Sequence, residues 1–226
     1  SAFVMLLSAP RDLLAEAIPY SQLVFGRQKY ALIDALEDLD PLDRISPVLE
    51  ALGGKGRYGD LSVETPDSDD ARQLAGLAKA FGNALRPALR KRGMLTDKPN
   101  PKLPMLHVVF VRNNHLLLAS STAGDRSPWP MGIPRLKQDS RAPSRSAMKL
   151  DEALACLMTP AERMDLISEG MAAADLGASP GGWSWVLAKH HIRVTAIDNG
   201  PMHPDALATG LIEHIRADGF QWQPAR

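Results

Sequence analysis

The run Ala172 to Met202, AAADLGASPGGWSWVLAKHHIRVTAIDNGPM, decides how the rest of the chain is read. A short apolar segment, Met171 to Leu176, predicts a strand that runs into a turn of small residues. A helix is predicted to open near Gly182, and a second apolar strand, Ile192 to Ile197, ends on Asp198. Strand, helix and strand at this spacing form a βαβ unit with a ligand loop at the end of the first strand. Small residues at Gly177, Ala178, Ser179, Gly181 and Gly182 let a ligand come close to the backbone. The helix behind them presents unpaired N–H groups at its start. Asp198, at the tip of the second strand, is placed to accept both hydroxyls of a ribose.

The spacing narrows the choice of ligand. A dinucleotide fingerprint, G-x-G-x-x-G, points a helix at a pyrophosphate. Here D-L-G-A-S-P-G-G-W puts Ser179 where the second glycine would stand, with Pro180 after it. That suits a nucleoside without phosphates better than NAD. S-adenosylmethionine (SAM) has a ribose that wants a carboxylate and a methionine end that wants backbone groups. An ordinary βα turn in a doubly wound sheet can carry the same glycines, so the loop alone leaves both readings open.

The flanking residues separate them. DLGASPGGW (Asp175 to Trp183) followed by DNGPM (Asp198 to Met202) resembles the ribose 2′-O-methyltransferases of the FtsJ/RrmJ type. PWPMGIPRLK (Pro128 to Lys137), APSRSAMKLDEA (Ala142 to Ala153) and RADGF (Arg216 to Phe220) extend the resemblance over essentially the whole chain. They point to a bacterial branch of enzymes that methylate a cytidine of 23S ribosomal RNA. The fold this resemblance implies is α/β, with a THUMP-type α+β RNA-binding domain followed by a Rossmann-like SAM-dependent methyltransferase domain, truncated at both ends. The implied divisions are a remnant of a ferredoxin-like domain (1–20), the THUMP-like domain (21–123), a basic Pro-rich linker (124–145) and the first part of the methyltransferase domain (146–226).

The resemblance also implies the site. Ser146 is expected near the methionine end of SAM, and Ser179, Pro180, Gly181 and Gly182 form the loop. Asp198 would hold the ribose and Asp218 the adenine side. Lys149 matches the first lysine of the family's Lys-Asp-Lys-Glu catalytic set, whose other members are expected beyond Arg226. Methyl transfer to a ribose hydroxyl needs the hydroxyl proton taken or held, since a neutral hydroxyl is a poor nucleophile. A lysine can do this when desolvation or a nearby cation brings its pKa toward neutrality. No metal is needed, because the sulfonium already carries a good leaving group. The expected partner is 23S ribosomal RNA, with no membrane and no metal, and the chain is expected to be a monomer. The alternative for a chain lacking most of the catalytic set is a noncatalytic RNA-binding module.

The totals agree with two ordinary domains of a soluble globular protein, at 226 residues, 45% hydrophobic and 23% charged. No apolar run reaches the ~18–20 residues of a membrane-spanning helix. One cysteine, Cys156, excludes an internal disulfide framework and a cysteine-rich zinc site. Its place on the apolar side of a predicted helix makes it an expected buried, inert thiol. The cytoplasm is the expected home. A formal net charge of zero hides an asymmetry: residues 1–145 hold 20 Lys+Arg against 16 Asp+Glu, and residues 146–226 hold 6 against 10. Positive potential is thus concentrated in the first part of the chain.

Along the chain, Ser1 to Tyr20 reads as a strand remnant and a connection, and Gln22 to Ala35 as a strand bent at Gly26. Asp43 to Leu52 has helical spacing stopped by Gly53-Gly54, and Arg57 to Glu64 alternates as a strand. Asp67 to Arg92 predicts a long helix capped by Ser68 or Asp67. Pro87 should kink or divide it, and Leu74, Leu77, Ala78, Phe81, Leu85 and Leu89 should face a sheet. Arg72, Lys79, Arg86 and Arg90 share roughly one face of it, which is either a solvated face or an RNA backbone contact. Leu106 to Phe110 and His115 to Ser120 predict a hairpin turning at Asn113-Asn114.

From Arg126 to Lys149 stand six basic residues, Arg126, Arg135, Lys137, Arg141, Arg145 and Lys149, against the single acid Asp139. Trp129 among them either stacks on RNA or packs the connector down. Beyond it, Lys149 to Leu157 reads as a helix with Leu150, Ala153, Leu154 and Leu157 inward. Thr159-Pro160-Ala161-Glu162 is a capping box. Leu211 to Ala217 predicts a third strand. His107, His190 and His191 read as structural or surface residues.

Overall fold

The computed structural model describes residues 18–23 and 25–224. The strand remnant expected within Ser1 to Tyr20 lies mostly outside the described residues. The chain divides between Ile133 and Pro134 into two compact units.

The first unit is built on a four-stranded sheet of order β1-β4-β3-β2. Its strands are β1 (Ala31–Leu36), β2 (Asp60–Glu64), β3 (Met105–Arg112) and β4 (His115–Ser121). The β3–β4 hairpin forms where the Asn-Asn turn predicts it, with Arg112 opposite His115. β1 pairs antiparallel with β4, and β2 runs parallel to β3. Helix α1 (Ile45–Ala51) starts where the Asp43 carboxylate accepts from the Ile45 and Ser46 N–H groups. Leu85, Leu89, Leu106, Val108 and Phe110 form the floor of the core, and Phe81 meets Phe110 edge-on at 5.3 Å.

Two expectations shift here. The strand over Gln22 to Ala35 shrinks to its last residues. A 3-10 turn occupies Tyr20–Gln22, and Gln28 and Lys29 turn their side chains onto the loop after β4. Ser127 N donates to Gln28 Oε1 at 2.8 Å, and Lys29 Nζ lies 2.6 Å from Asp125 Oδ2. The long helix does divide, but after Gln73 rather than at Pro87, giving α2 (Asp69–Arg72) and α3 (Ala75–Lys91). Ser68 caps the first, accepting from Ala71 N. Pro87 stays inside α3 because Phe81, Leu85 and Leu89 bury one continuous stripe across it. That stripe outweighs the lost N–H and the steric cost of an interior proline.

The second unit is a three-stranded parallel sheet of order β5-β6-β7: β5 (Ala172–Leu176), β6 (Arg193–Ile197) and β7 (Ile212–Ile215). Helix α4 (Ser146–Leu157) comes first, then α5 (Pro160–Leu166), which carries the complete Thr159–Glu162 capping box. Helix α6 (Gly182–Lys189) joins β5 to β6, and the short α7 (Pro204–Leu207) lies between β6 and β7. Trp185, Val186 and Ala188 of α6 pack with Ala147 and Leu154 of α4, and with Val194 and Ala196 of β6.

The α4 stripe is narrower than its sequence predicts. Leu157 is 81% exposed and Cys156 is exposed, which corrects the expected buried thiol. Ala147, Leu150 and Leu154 supply the contact with the core, and the final turn swings clear while Met158 packs back. Partial desolvation and the Glu152 carboxylate still hold the Cys156 thiol above its ordinary pKa, so it stays protonated at neutral pH.

Candidate functional site

β5 is an apolar strand that carries one acid, Asp175, which is buried. Its Oδ2 accepts from Ser184 N at 3.0 Å and from Ser184 Oγ at 2.7 Å. The strand is thereby tied to the first turn of α6, which sets the loop Gly177 to Gly181 between two fixed points. A lone acid in an apolar strand, nine residues before a serine in a helix start, was the signal in the sequence. Its role was not read there.

The loop glycines have different surroundings. Gly181 has φ 104°, in the left-handed region, and a Cβ there would stand 2.6 Å from Met202 Cε and 2.9 Å from Ala206 Cβ. A Cβ on Gly182 would run into the hydroxyls of Ser146 and Ser144. Both are small because the protein packs against them. Gly177, at φ 79°, faces open space.

The open space is a cleft of about 340 Å³ over the carboxyl ends of the three parallel strands. Leu176 and Gly177 line it from β5, Ile197 to Asn199 from β6, and Ala217 to Phe220 from the turn after β7. Its size falls in the ~300–1,000 Å³ range of small-molecule sites, and its place is where α/β sheets bind ligands. The walls are mostly apolar, with one carboxylate at each side, Asp198 and Asp218.

Asp198 is held in place by the backbone. Gly200 N donates to its Oδ1 at 2.6 Å and Ser179 N to its Oδ2 at 3.0 Å. These N–H groups, Gly200's foremost, keep the carboxyl below its usual pKa, so it is an acceptor-only anion at neutral pH. A carboxylate has about four acceptor positions, and with the Asn199 N–H also directed at it, one remains for a ligand. Asp218 Oδ1 accepts from Phe220 N at 2.9 Å, which closes the turn that carries Phe220.

Of the residues singled out from the sequence, Asp198 and Asp218 line the cleft. Ser179 joins it indirectly, through its N–H on Asp198, while its Oγ donates to Pro201 O at 2.8 Å. Pro180 is exposed and its carbonyl accepts from His203 N. Ser146 stands at Gly182, 2.6 Å from Ser144 Oγ, and its carbonyl accepts from Trp183 Nε1 at 3.1 Å. Lys149 is exposed on α4. The structure does not bring Ser146, Pro180, Gly181, Gly182 or Lys149 to the cleft wall. Gly177, one of the small residues expected to let a ligand approach, lines the cleft, and Leu176, Ile197 and Phe220 are cleft residues to which sequence reasoning gave no role.

The expected basic face of α3 is largely committed inside the first unit. Arg86 forks onto Asp60 Oδ1 and Leu61 O, both at 2.7 Å, and Arg90 reaches the carbonyls of Thr96 and Asp97. Trp129 is half-buried in the same unit, and its backbone N–H donates to Ser127 Oγ. His107 is buried between Glu64 Oε1 (2.9 Å) and Ser121 Oγ (2.7 Å) and is structural. Among the described residues no helix is long and apolar enough to cross a membrane, and no cluster of three or more His, Cys, Asp or Glu could hold a metal.

Comparison with known proteins agrees with this geometry. Residues 142–220 match the FtsJ-like methyltransferase family, and residues 43–122 match the family described as Ribosomal RNA large subunit methyltransferase M, N-terminal. The second match falls within the first unit and the first within the second unit. Ribosomal RNA large subunit methyltransferase M from Xanthomonas campestris pv. campestris (strain B100) is 59% identical over 213 residues, covering 94% of this chain and 61% of that protein. The same-named protein of Xanthomonas axonopodis pv. citri (strain 306) has the same identity and coverage, and that of Xanthomonas oryzae pv. oryzae (strain KACC10331 / KXO85) is 58% identical with the same coverage. The chain is similar to these proteins over most of its own length, and it spans about three-fifths of theirs. A crystal structure of a possible methylase from Clostridium difficile 630 is 12% identical, covers 87% of this chain and 63% of that chain, and superposes with a TM-score of only 0.33.

Proposed function

We propose that the chain is part of a cytoplasmic enzyme that uses SAM to methylate the ribose 2′-hydroxyl of a cytidine in 23S ribosomal RNA. The observation that carries this reading is the ionised Asp198 carboxylate, fixed by two backbone N–H groups at the edge of an apolar cleft. The cleft lies within a segment that matches the FtsJ-like methyltransferases. The lining fits an adenosine: apolar walls for a purine, an oriented carboxylate, Asp198, for a ribose hydroxyl, and a second carboxylate, Asp218, for an exocyclic amine.

When bound, SAM supplies a methyl group on a sulfonium. The chain's own residues orient and hold. Asp198 accepts a ribose hydroxyl. Ser146 and the loop Ser179 to Gly182 are assigned to the methionine end. Lys149 is assigned to the acceptor hydroxyl, as a charged donor that holds it in place. Residues 21–123 are assigned to a THUMP-like RNA-binding domain, 124–145 to a basic linker and 146–226 to the methyltransferase domain, acting as a monomer.

The test is a methylation assay with the full-length protein, SAM and a 23S ribosomal RNA transcript, read by mass spectrometry of the nucleosides. A 2′-O-methylcytidine is expected from wild type. Lys149→Ala should abolish it while S-adenosylhomocysteine still binds. Methylation on a base, or none at all with a folded wild-type protein, contradicts the assignment.

A further inference from the structure

His214 is the third residue of β7, half-buried, and lies in register with Ala196 of β6. Its ring Nε2 stands 2.9 Å from the backbone carbonyl oxygen of Asp198. A carbonyl only accepts, so Nε2 carries the proton and donates. Alternation along the strand puts His214 on the same face as Ile212, which packs into the core of this unit. From that base the ring reaches past the last paired residues, Ile197 and Ile215, to the tip of the neighbouring strand.

Every polar atom of Asp198 has a partner. Its N–H donates to Ile215 O at 3.2 Å, its two carboxylate oxygens accept from Gly200 N and Ser179 N, and its carbonyl accepts from His214. The carbonyl contact has a particular consequence. The Asp198 carbonyl and the Asn199 N–H belong to one peptide plane, which turns as a rigid body. That N–H is directed at the Asp198 carboxylate, and the Gly200 N–H follows in the same turn. A ring that fixes the carbonyl thereby fixes the donors that aim the carboxylate.

We propose that His214 is a positioning residue: through the Asp198–Asn199 peptide it holds the Asp198 carboxylate in the orientation that meets the ribose of a bound nucleoside. This rests on the cofactor reading above and adds a residue to it. His214 does not line the cleft, so its effect on affinity passes through Asp198. A binding group has to be held within about 0.5 Å of its productive place, and the residues behind it supply that precision. The effect of His214 vanishes where the Asp198 carboxylate is itself absent.

The test is calorimetric titration of the full-length protein with S-adenosylhomocysteine. Wild type is compared with His214→Phe, which keeps a ring and removes the donor, and with His214→Gln, which keeps a donor near the same place. Asp198→Ala and the double variant, Asp198→Ala with His214→Phe, complete a cycle. His214→Phe should bind roughly three- to tenfold more weakly, the scale of one hydrogen bond, and His214→Gln should restore wild-type affinity. In the Asp198→Ala background, His214→Phe should cost nothing further. If His214→Phe melts below wild type, His214→Ala takes its place in the cycle under the same criteria. Wild-type affinity in the variant that lacks the donor, or an equal loss with and without the Asp198 carboxylate, overturns the proposal and leaves the cofactor assignment standing. If a folded wild type does not bind, the cofactor assignment fails and this proposal falls with it.

Discussion

The Ser179 backbone N–H donates to Asp198 Oδ2 across 3.0 Å, tying the loop after one strand to the tip of the next. The loop and the carboxylate are thus one unit, and a ligand that meets Asp198 meets a carboxylate already oriented. The Gly200 N–H on the other oxygen completes the clamp at 2.6 Å.

This clamp sets a pH dependence. The Asp198 carboxyl is held below its ordinary value, chiefly by the Gly200 and then the Ser179 N–H. A depressed folded-state pKa gives a contribution that is fully present above the unfolded value, ~3.9. It is lost only as pH falls through the lower folded value. Affinity for S-adenosylhomocysteine should therefore be the same at pH 5 and pH 7.5. Titrations at the two values check this, and a tenfold drop on going to pH 5 contradicts it.

Gly182 is packed against by the protein itself. A Cβ there runs into the Ser144 and Ser146 hydroxyls. Gly182→Ala should destabilise the second unit by about 1–3 kcal/mol, the usual cost of overpacking. Adding Ser144→Ala and Ser146→Ala should recover part of that loss. Urea unfolding of the single and triple variants reads both effects. A Gly182→Ala as stable as wild type contradicts the packing account.

The buried hub of the first unit is Glu64. Its Oε1 faces His107 Nδ1 at 2.9 Å, and its Oε2 accepts from Tyr30 OH at 2.8 Å and from Met131 N at 2.7 Å. Despite burial, those hydrogen bonds, His107's foremost, keep its carboxyl below the usual range. Removing Glu64 takes the shared acceptor from the buried His107 ring, the Tyr30 hydroxyl and the Met131 N–H, at a cost of about 1–3 kcal/mol for each buried polar group left unsatisfied. Glu64→Ala should show that loss in denaturant unfolding. A change under 1 kcal/mol means the network is not what holds this face.

Arg86 separates a structural arginine from an RNA contact. It is 2.7 Å from Asp60 Oδ1, with both side chains about a third exposed. The pair should couple by no more than ~1 kcal/mol in a double-mutant cycle with Asp60→Ala, given that exposure. Arg86→Ala should leave the salt dependence of RNA binding unchanged. A slope reduced by about one counterion would instead make Arg86 a phosphate contact.

Local chemistry made much of this fold legible. The Asn113-Asn114 turn, the Thr159–Glu162 box and the small-residue loop before Gly182 each carry their structure within a few residues. The misread places depend on distant partners. Gln28 and Lys29 leave the β pattern because Ser127 and Asp125, some hundred positions away, bind their side chains. Pro87 stays helical because the sheet buries residues on both sides of it. In the site, Asp198 and Asp218 were readable from strand ends followed by turns. Phe220 was not, because an apolar residue gives no sign in sequence that it will stay in water. The packing of Gly181 and Gly182 was not readable, since Met202 and Ser146 meet them only through the fold.

The most direct measurement is calorimetric titration of the full-length protein and its Asp198→Ala variant with S-adenosylhomocysteine. Wild type should bind, and the variant should lose about 1–3 kcal/mol of binding free energy, the cost of removing a hydrogen-bonding carboxylate. Equal binding by the two proteins, or no binding by a folded wild type, would contradict the assignment of this cleft to the cofactor.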